Sequence, residues 1–355
     1  MSANNYQANL QSFKFSQNTF LNSTAQESTL KTSNLFSHSI IEGGCIYVDT
    51  GSITVDQCTF ENSKAEEAGG DFYVSIGKTV EITKSNFTAS YAKQGSFFYA
   101  EEMNGTLNIN NIKIKDIVNN NNDAVVLYTT SSSLSLTDSI IENISSPLLL
   151  LSNVITLIQN LAVNQISCPK SSLSYCLLKA TSSKILQITD SSFTEISSNV
   201  DLISLTNCTE VLLSKISAQN MLKINKEETN QIFTLNVNKV PSLYIKNSEF
   251  SKIGFSGLKV KNSELTLKNS NFSNSIRESR LLAQSSLSSA KLNQPIQFLI
   301  LDTSSSILNK IFFIENSFNA LVNGGVIIFF IFPKLISNIG DSNFRPRRNS
   351  YNHRL

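Results

Sequence analysis

The chain has no tryptophan and only two histidines, His38 and His353. Charged residues make up 16% of its 355 residues and the formal net charge is +2, so no broad field for nucleic acid or an anionic membrane is implied. Its five cysteines, Cys45, Cys58, Cys168, Cys176 and Cys208, form an odd set without a C-x-x-C pair, which argues against zinc. Cys168 and Cys176 bracket PKSSLSY in a loop and can close a disulfide if the compartment is oxidising. The first residues, MSANNYQANLQSFKF, lack a charged start followed by an apolar run, so no signal peptide is expected. The run VIIFFIF from Val326 to Phe332 is too short for a membrane helix and sits where a strand belongs.

What the chain does have is a period. The pattern hydrophobic-x-hydrophobic-x-x-small-x-Phe recurs as ITVDQCTF, VEITKSNF, LQITDSSF, LYIKNSEF and LTLKNSNF, and such self-similarity defines a stack of coils. Counted from the large apolar residue, the copies fall at Phe20, Phe60, Phe87, Ile114, Ile141, Val163, Phe193, Ala218, Phe250, Phe272, Ile314 and Phe344. Pairs seven and five positions earlier, such as Ile53 with Val55 and Leu186 with Ile188, point to one side of a strand. Two polar residues follow, the second typically Asp138, Asp190, Asn247, Asn269 or Asp341, residue types that tolerate a bend. A small residue then precedes the Phe; Cys58 fills the slot held by Ser85, Ser139, Ser191, Ser248 and Ser270 elsewhere, and reads as buried filler. The 22 Phe read as a core stack rather than as ligand platforms.

A further strand precedes this unit: GGCIYV from Gly43, GGDFYV from Gly69 and GSFFYA from Gly95, spaced 26 apart, with GGVIIFF from Gly324 as a late copy. The glycines permit a positive-φ bend, and the β-branched and aromatic run after them is a strand. No Lys-Ser/Thr follows, so a phosphate cradle is disfavoured against a structural turn. A leucine-rich-repeat-like solenoid is the rival, because LQITDSSFTEI fits its spacing. Its upstream apolar anchor is replaced by Thr50, Gly77, Asn104, Ser131, Asn153, Ser183 and Asn262, which mark a turn.

These four elements together resemble the right-handed parallel β-helix of the pectin-lyase-like class. GGCIYV with CTFENS, and GGDFYV with SNFTAS, are similar to the GGAI and FxxN repeats of bacterial polymorphic outer-membrane proteins and of large surface proteins of single-celled eukaryotes. The resemblance implies an all-β solenoid of about twelve coils over residues 1–344, a rod of roughly 60 Å at about 4.8 Å per coil. Lateral insertions are expected near 21–42 and 276–297, the second with a short helix around Arg277 to Ala290, and a basic disordered tail at 345–355. Asn119 to Asn122 read as a polar turn. Coil motifs run from Phe13 to Phe344 without an amphipathic cap, so the chain is expected to belong to a longer array or to fray at its ends.

Enzymes of this fold class place acids, a His and Arg or Lys on neighbouring coils. Here no Gly-His-Gly, Asp-Asp or Arg-Ile-Lys occurs, and Asp138 and Asp190 sit in bends of non-adjacent coils. No catalytic, cofactor-binding or metal-ligating residue is therefore expected, and no cofactor. Six N-x-S/T sequons, at Asn22, Asn86, Asn104, Asn143, Asn207 and Asn271, permit a secretory life without requiring one. The expected function is a non-catalytic surface or scaffold module for adhesion, carbohydrate contact or protein interaction, including self-association, with an extracellular or cell-surface leaning. The alternative is a polysaccharide lyase or glycoside hydrolase.

Overall fold

Segments that bury every second side chain can all bury the same edge if they stack in parallel, one coil upon the next. The computed structural model is such a parallel β-solenoid, with no helix among its described residues. It describes residues 44–118, 125–168, 173–224, 232–254 and 256–273. For short strands at 12–16, 19–21, 30–31, 299–302, 311–314, 317–319, 328–329, 337–339 and 343–345 it gives the backbone pairing.

Each coil contributes to three ladders. In one coil these strands are Leu127–Thr130, Ser133–Thr137 and Ile140–Ile144, the Gly-Gly, apolar-pair and Phe strands of the repeat. Each pairs in parallel with its counterpart one coil on, as Tyr128↔Leu150, Leu134↔Thr156 and Ile141↔Val163 show. The Phe ladder forms a sheet of twelve strands in chain order, and about seven complete turns lie in the fully described stretch. Three parallel ladders leave no place for a leucine-rich-repeat horseshoe.

The Cα partners along the Phe ladder are Phe20, Phe60, Phe87, Ile114, Ile141, Val163, Phe193, Ala218, Phe250, Phe272, Phe318 and Phe344. One expected register residue is corrected: Ile314 lies opposite Lys268 in the apolar-pair ladder, and Phe318 takes its place. The triplet Asn316-Ser317-Phe318, preceded by Ile311 and Phe313, carries the full pattern four residues later. Of the run VIIFFIF, Ile328–Phe329 pairs with Ile300 and Leu301 as a coil strand. The insertions at 21–42 and 276–297 (apart from Leu21 and Leu30–Lys31), the helix around Arg277 to Ala290, Asn119–Asn122 and the tail beyond Arg345 lie outside the described residues.

The bends are set by left-handed backbone at fixed repeat positions. Three residues before the reference position, Gln57, Lys84, Asn111, Asp138, Asn160, Asp190, Lys215, Asn247 and Asn269 all have φ between 48 and 55°. Two residues after it, Asn62, Ala89, Asp116, Asn143, Gln165, Glu195, Asn220 and Lys252 have φ between 53 and 58°, a bend the sequence pattern did not announce. The ladder does not pause there. Gln57 N–H donates to the Thr83 carbonyl at 3.0 Å, Asn111 to Thr137 at 3.0 Å, and Asp190 to Ser214 at 3.0 Å, each one coil on.

The expected turn after the Gly-Gly strand exists from Ser131 onward, where Ser131, Asn153 and Asn262 have positive φ; in the coil of Ser183 the bend falls on Ser182. In the three earlier coils it is replaced by a bulge inside one continuous strand, Ile46–Asp56, Phe72–Thr83 and Phe98–Asn110. Gly69 and Gly95, with φ of 71 and 59°, turn the chain into these strands as the motif requires.

The inward slots are filled as the pattern demands. Ile53, Val55, Val80, Ile82, Leu186, Ile188, Leu243 and Ile245 are buried. Phe60, Phe72, Phe87, Phe97 and Phe98 form an aromatic core, with Phe60 stacked on Phe87 at 4.9 Å. Where Ala218 stands between Phe193 and Phe250, an apolar void of about 20 Å³ remains. Cys58 is buried, Cys45 and Cys208 likewise, and Cys168 and Cys176 are joined as a disulfide with their Cα atoms 6.0 Å apart.

The buried serines before the Phe have a defined task. Ser139 Oγ donates to the Thr137 carbonyl at 2.6 Å and accepts the Ile112 N–H of the preceding coil at 3.3 Å. Ser85, Ser191, Ser248 and Ser270 repeat this arrangement. Ser139→Ala leaves a buried N–H without its acceptor, and should lower unfolding free energy by about 1–3 kcal/mol in a denaturant titration. Phe87→Asp removes a core aromatic, a loss of about 3–5 kcal/mol before the unpaired charge is added. Hydrogen exchange should show lost protection first in the flanking coils of Phe60 and Ile114; unchanged protection there would contradict this register.

Candidate functional site: the outer faces of the coils

With the interior filled, any chemistry must come from the outward positions. On the Gly-Gly ladder these begin with Tyr47, Tyr73, Tyr99 and Tyr128, Cα partners in consecutive coils. Their rings stack at 5.1, 5.3 and 4.7 Å with interplanar angles of 3, 20 and 12°. The ring faces are therefore turned on one another, and Tyr73 is 3% exposed. Burial, helped by the Glu101 carboxylate, pushes the Tyr128 phenol up from its ordinary range. Leu150 and Lys179 continue the column and end the aromatic run. The signal was present in the sequence as the third residue of CIYV, DFYV, FFYA and VLYT.

Several outward acids are rungs between coils. Asp138 sits in its bend with both carboxylate oxygens taken, one by Asn160 Nδ2 at 2.8 Å and the other by Asn110 Nδ2 at 3.1 Å. Asp190 pairs with Lys215 Nζ at 2.9 Å, Asp116 accepts from Asn143 at 2.7 Å, and Asp56 accepts from Thr83 at 2.8 Å. Glu142 pairs with Lys113 at 2.8 Å, and Glu67 with Lys93. Asp201 is held by the Phe233 N–H and Asn236, yet burial still pushes its carboxyl above the usual range. Such exposed pairs are each worth about 0–1 kcal/mol and serve register more than stability.

An open groove of about 390 Å³ follows the bend between the apolar-pair and Phe ladders, lined by Gln57, Lys84, Asn86, Asn111, Lys113 and Asp138. Each oxygen of its one acid accepts a hydrogen bond, and its Lys113 pairs with Glu142. Farther along, Ile155, Leu157, Ile185 and Tyr244 interrupt the polar outer side of the apolar-pair ladder, each more than a third exposed. Of the sequons, Asn86, Asn104, Asn143 and Asn207 are exposed, Asn271 is half-buried, and Asn22 lies outside the described residues. His38 and His353 also lie outside them.

Among the described residues no group of three or more His, Cys, Asp or Glu is placed to hold a metal ion. No helix there is long and apolar enough to cross a membrane. Comparison with protein-family models, with curated proteins and with solved structures finds no match.

One buried group stands apart. Asp71 follows Gly69-Gly70 in the column that holds Cys45 one coil earlier and Phe97 one coil later, and it is completely buried. The sequence signal was visible as the only acid directly after a Gly-Gly pair, GGDFYV, but the strand alternation alone does not say that this position turns inward.

Replacing Tyr99 with Ala removes two stacking contacts at once. Each aromatic pair contributes about 0.5–1.5 kcal/mol beyond its buried area, so a loss of about 1–3 kcal/mol is expected. Tyr99→Phe should retain most of it. Equal denaturation midpoints for Tyr99→Ala and the unaltered chain would show that the ladder adds nothing.

Proposed function

We propose that the chain is a non-catalytic β-solenoid module of a surface or scaffold, presenting a long regular flank for contact with carbohydrate or with other proteins, itself included. The observation that carries this proposal is the use of outward acids as inter-coil rungs: Asp56, Asp116, Asp138 and Asp190 are each committed to a neighbouring coil. General acid and base catalysis needs groups free to exchange a proton near a substrate. At Asp138 both carboxylate oxygens already accept amide N–H bonds, from Asn110 and Asn160. The likeness of GGCIYV with CTFENS to the GGAI and FxxN repeats of surface proteins supports an extracellular or cell-surface setting.

A polysaccharide lyase or glycoside hydrolase of the pectin-lyase-like class would use the same faces differently. It would set an acid beside Lys, Arg or His from adjacent coils, and the groove at Lys84, Lys113 and Asp138 is the nearest approach to that arrangement. Incubation with polyuronates and neutral polysaccharides should release neither reducing ends nor unsaturated products. Release of either, abolished by Asp138→Asn, would overturn the non-catalytic proposal in favour of the enzyme.

A further inference from the structure

Asp71 is a carboxyl group placed in an apolar column. Its side chain has no access to solvent, and its neighbours in the column are a thiol, Cys45, and an aromatic ring, Phe97. One oxygen, Oδ2, is 2.5 Å from Ser90 Oγ. The other, Oδ1, has no hydrogen bond. Ser63, also fully buried, stands nearby but shares its hydroxyl with Cys45 Sγ at 3.0 Å. Cys45 is the other titratable group facing the niche. Lys64, Glu66, Glu67 and Lys93, on the surrounding segments, lie at the surface, and Lys93 and Glu67 neutralise each other.

A carboxylate in this niche would carry a full charge with only the Ser63 and Ser90 hydroxyls beside it and no cation against it among the described residues, which is among the costliest things to bury. The neutral acid has no such difficulty. Its proton on Oδ2 is donated to Ser90 Oγ, and Oδ1 is left as an uncharged carbonyl. The geometry points to a proton-set latch: protonated Asp71 holds the coils of residues 44–110 closed on one another, and its ionisation loosens them.

Burial raises the Asp71 carboxyl from 3.8 to about 7, with Ser63 and Ser90 opposing the shift. The sign follows from linkage. Between those values the closed coils bind a proton that the opened coils release, so protection is complete below pH ~4 and is lost as pH rises toward 7, then levels off. No acid-denaturing contribution comes from this group; its effect runs the other way.

The test is hydrogen exchange on the whole chain between pH 5 and pH 8, corrected for the intrinsic exchange rate. In the unaltered protein, protection of residues 44–110 should fall by about tenfold per pH unit up to pH ~7 and then flatten, as expected for one proton. The coils of residues 133–168 serve as the internal reference and should not follow. Asp71→Asn, the neutral isostere, and Asp71→Val, the apolar filler, should each remove the slope. If the unaltered chain shows the same pH profile in both regions, or if Asp71→Asn keeps the slope, the latch does not exist; the first arm decides even if neither variant folds.

Discussion

Each coil of this solenoid has to change direction several times while its backbone stays hydrogen-bonded to the coils above and below, and the rest of the structure follows from how that is done. The solution is single left-handed residues whose own N–H continues the ladder, as Asn111 does to Thr137 and Asp138 to Gln159 at 3.1 Å. Left-handed backbone costs an ordinary L residue about 1–2 kcal/mol, and Asn and Asp least among those with a side chain. Of the 23 non-glycine positions with positive φ among the described residues, ten are Asn and three are Asp. Asn is thus the residue these bends use most often. Lys84, Lys215 and Ala89 occupy the same positions, so the ladder tolerates the cost where local chemistry does not remove it.

That bend also decides what the surface can do. Side chains at one repeat position line up along the axis, and a column of Asn, Asp, Lys and Gln at coil spacing hydrogen-bonds with itself. Asp138 and Asn160 form such a pair, joined by Asn110 from the adjacent position, and Asp190 with Lys215 form another. Polar groups that in a globular enzyme would be held apart for a substrate are here drawn together by the period. Inside, the serine before the Phe performs the matching service for the backbone, joining a carbonyl of its own coil to an N–H of the preceding one. A repeat that pairs its polar groups coil by coil leaves a regular outer face, and this regularity supports the contact role proposed above.

The ladders and the Phe register were legible because period-two burial and a fixed Asn/Asp bend are both local, and both recur many times. Four features were not, for three physical reasons. The bend two residues after the Phe is filled by Glu, Gln, Lys and Ala as well as Asn, so no residue type marks it. The register around Ile314 is ambiguous in sequence because Ile311, Phe312, Phe313 and Ile314 are all apolar, and alternation has nothing to alternate with; the pairing of Ile311 with Leu265 and of Phe313 with Leu267 fixes it. The tyrosine ladder and Asp71 share a cause: a residue's place along the Gly-Gly strand is visible in sequence, but which face it meets depends on where that strand begins to pair.

The columns are not uniform, and this gives the solenoid an axis of differing character. Near Phe60 to Phe98 the core is aromatic and closely packed, with Phe87 and Phe97 at 4.5 Å, and the outside is braced by stacked tyrosines. Near Ala218 the core is mostly aliphatic, between Phe193 and Phe250, and incompletely filled. Because a coil in such a stack contacts mainly its neighbours, these differences are not averaged over the molecule as they would be in a globular core. The one carboxyl group that is completely buried among the described residues lies in the aromatic end, in the column between a thiol and a phenyl ring. Its protonation state therefore acts where the surrounding packing is strongest, and a change there is passed to adjacent coils before it can be diluted.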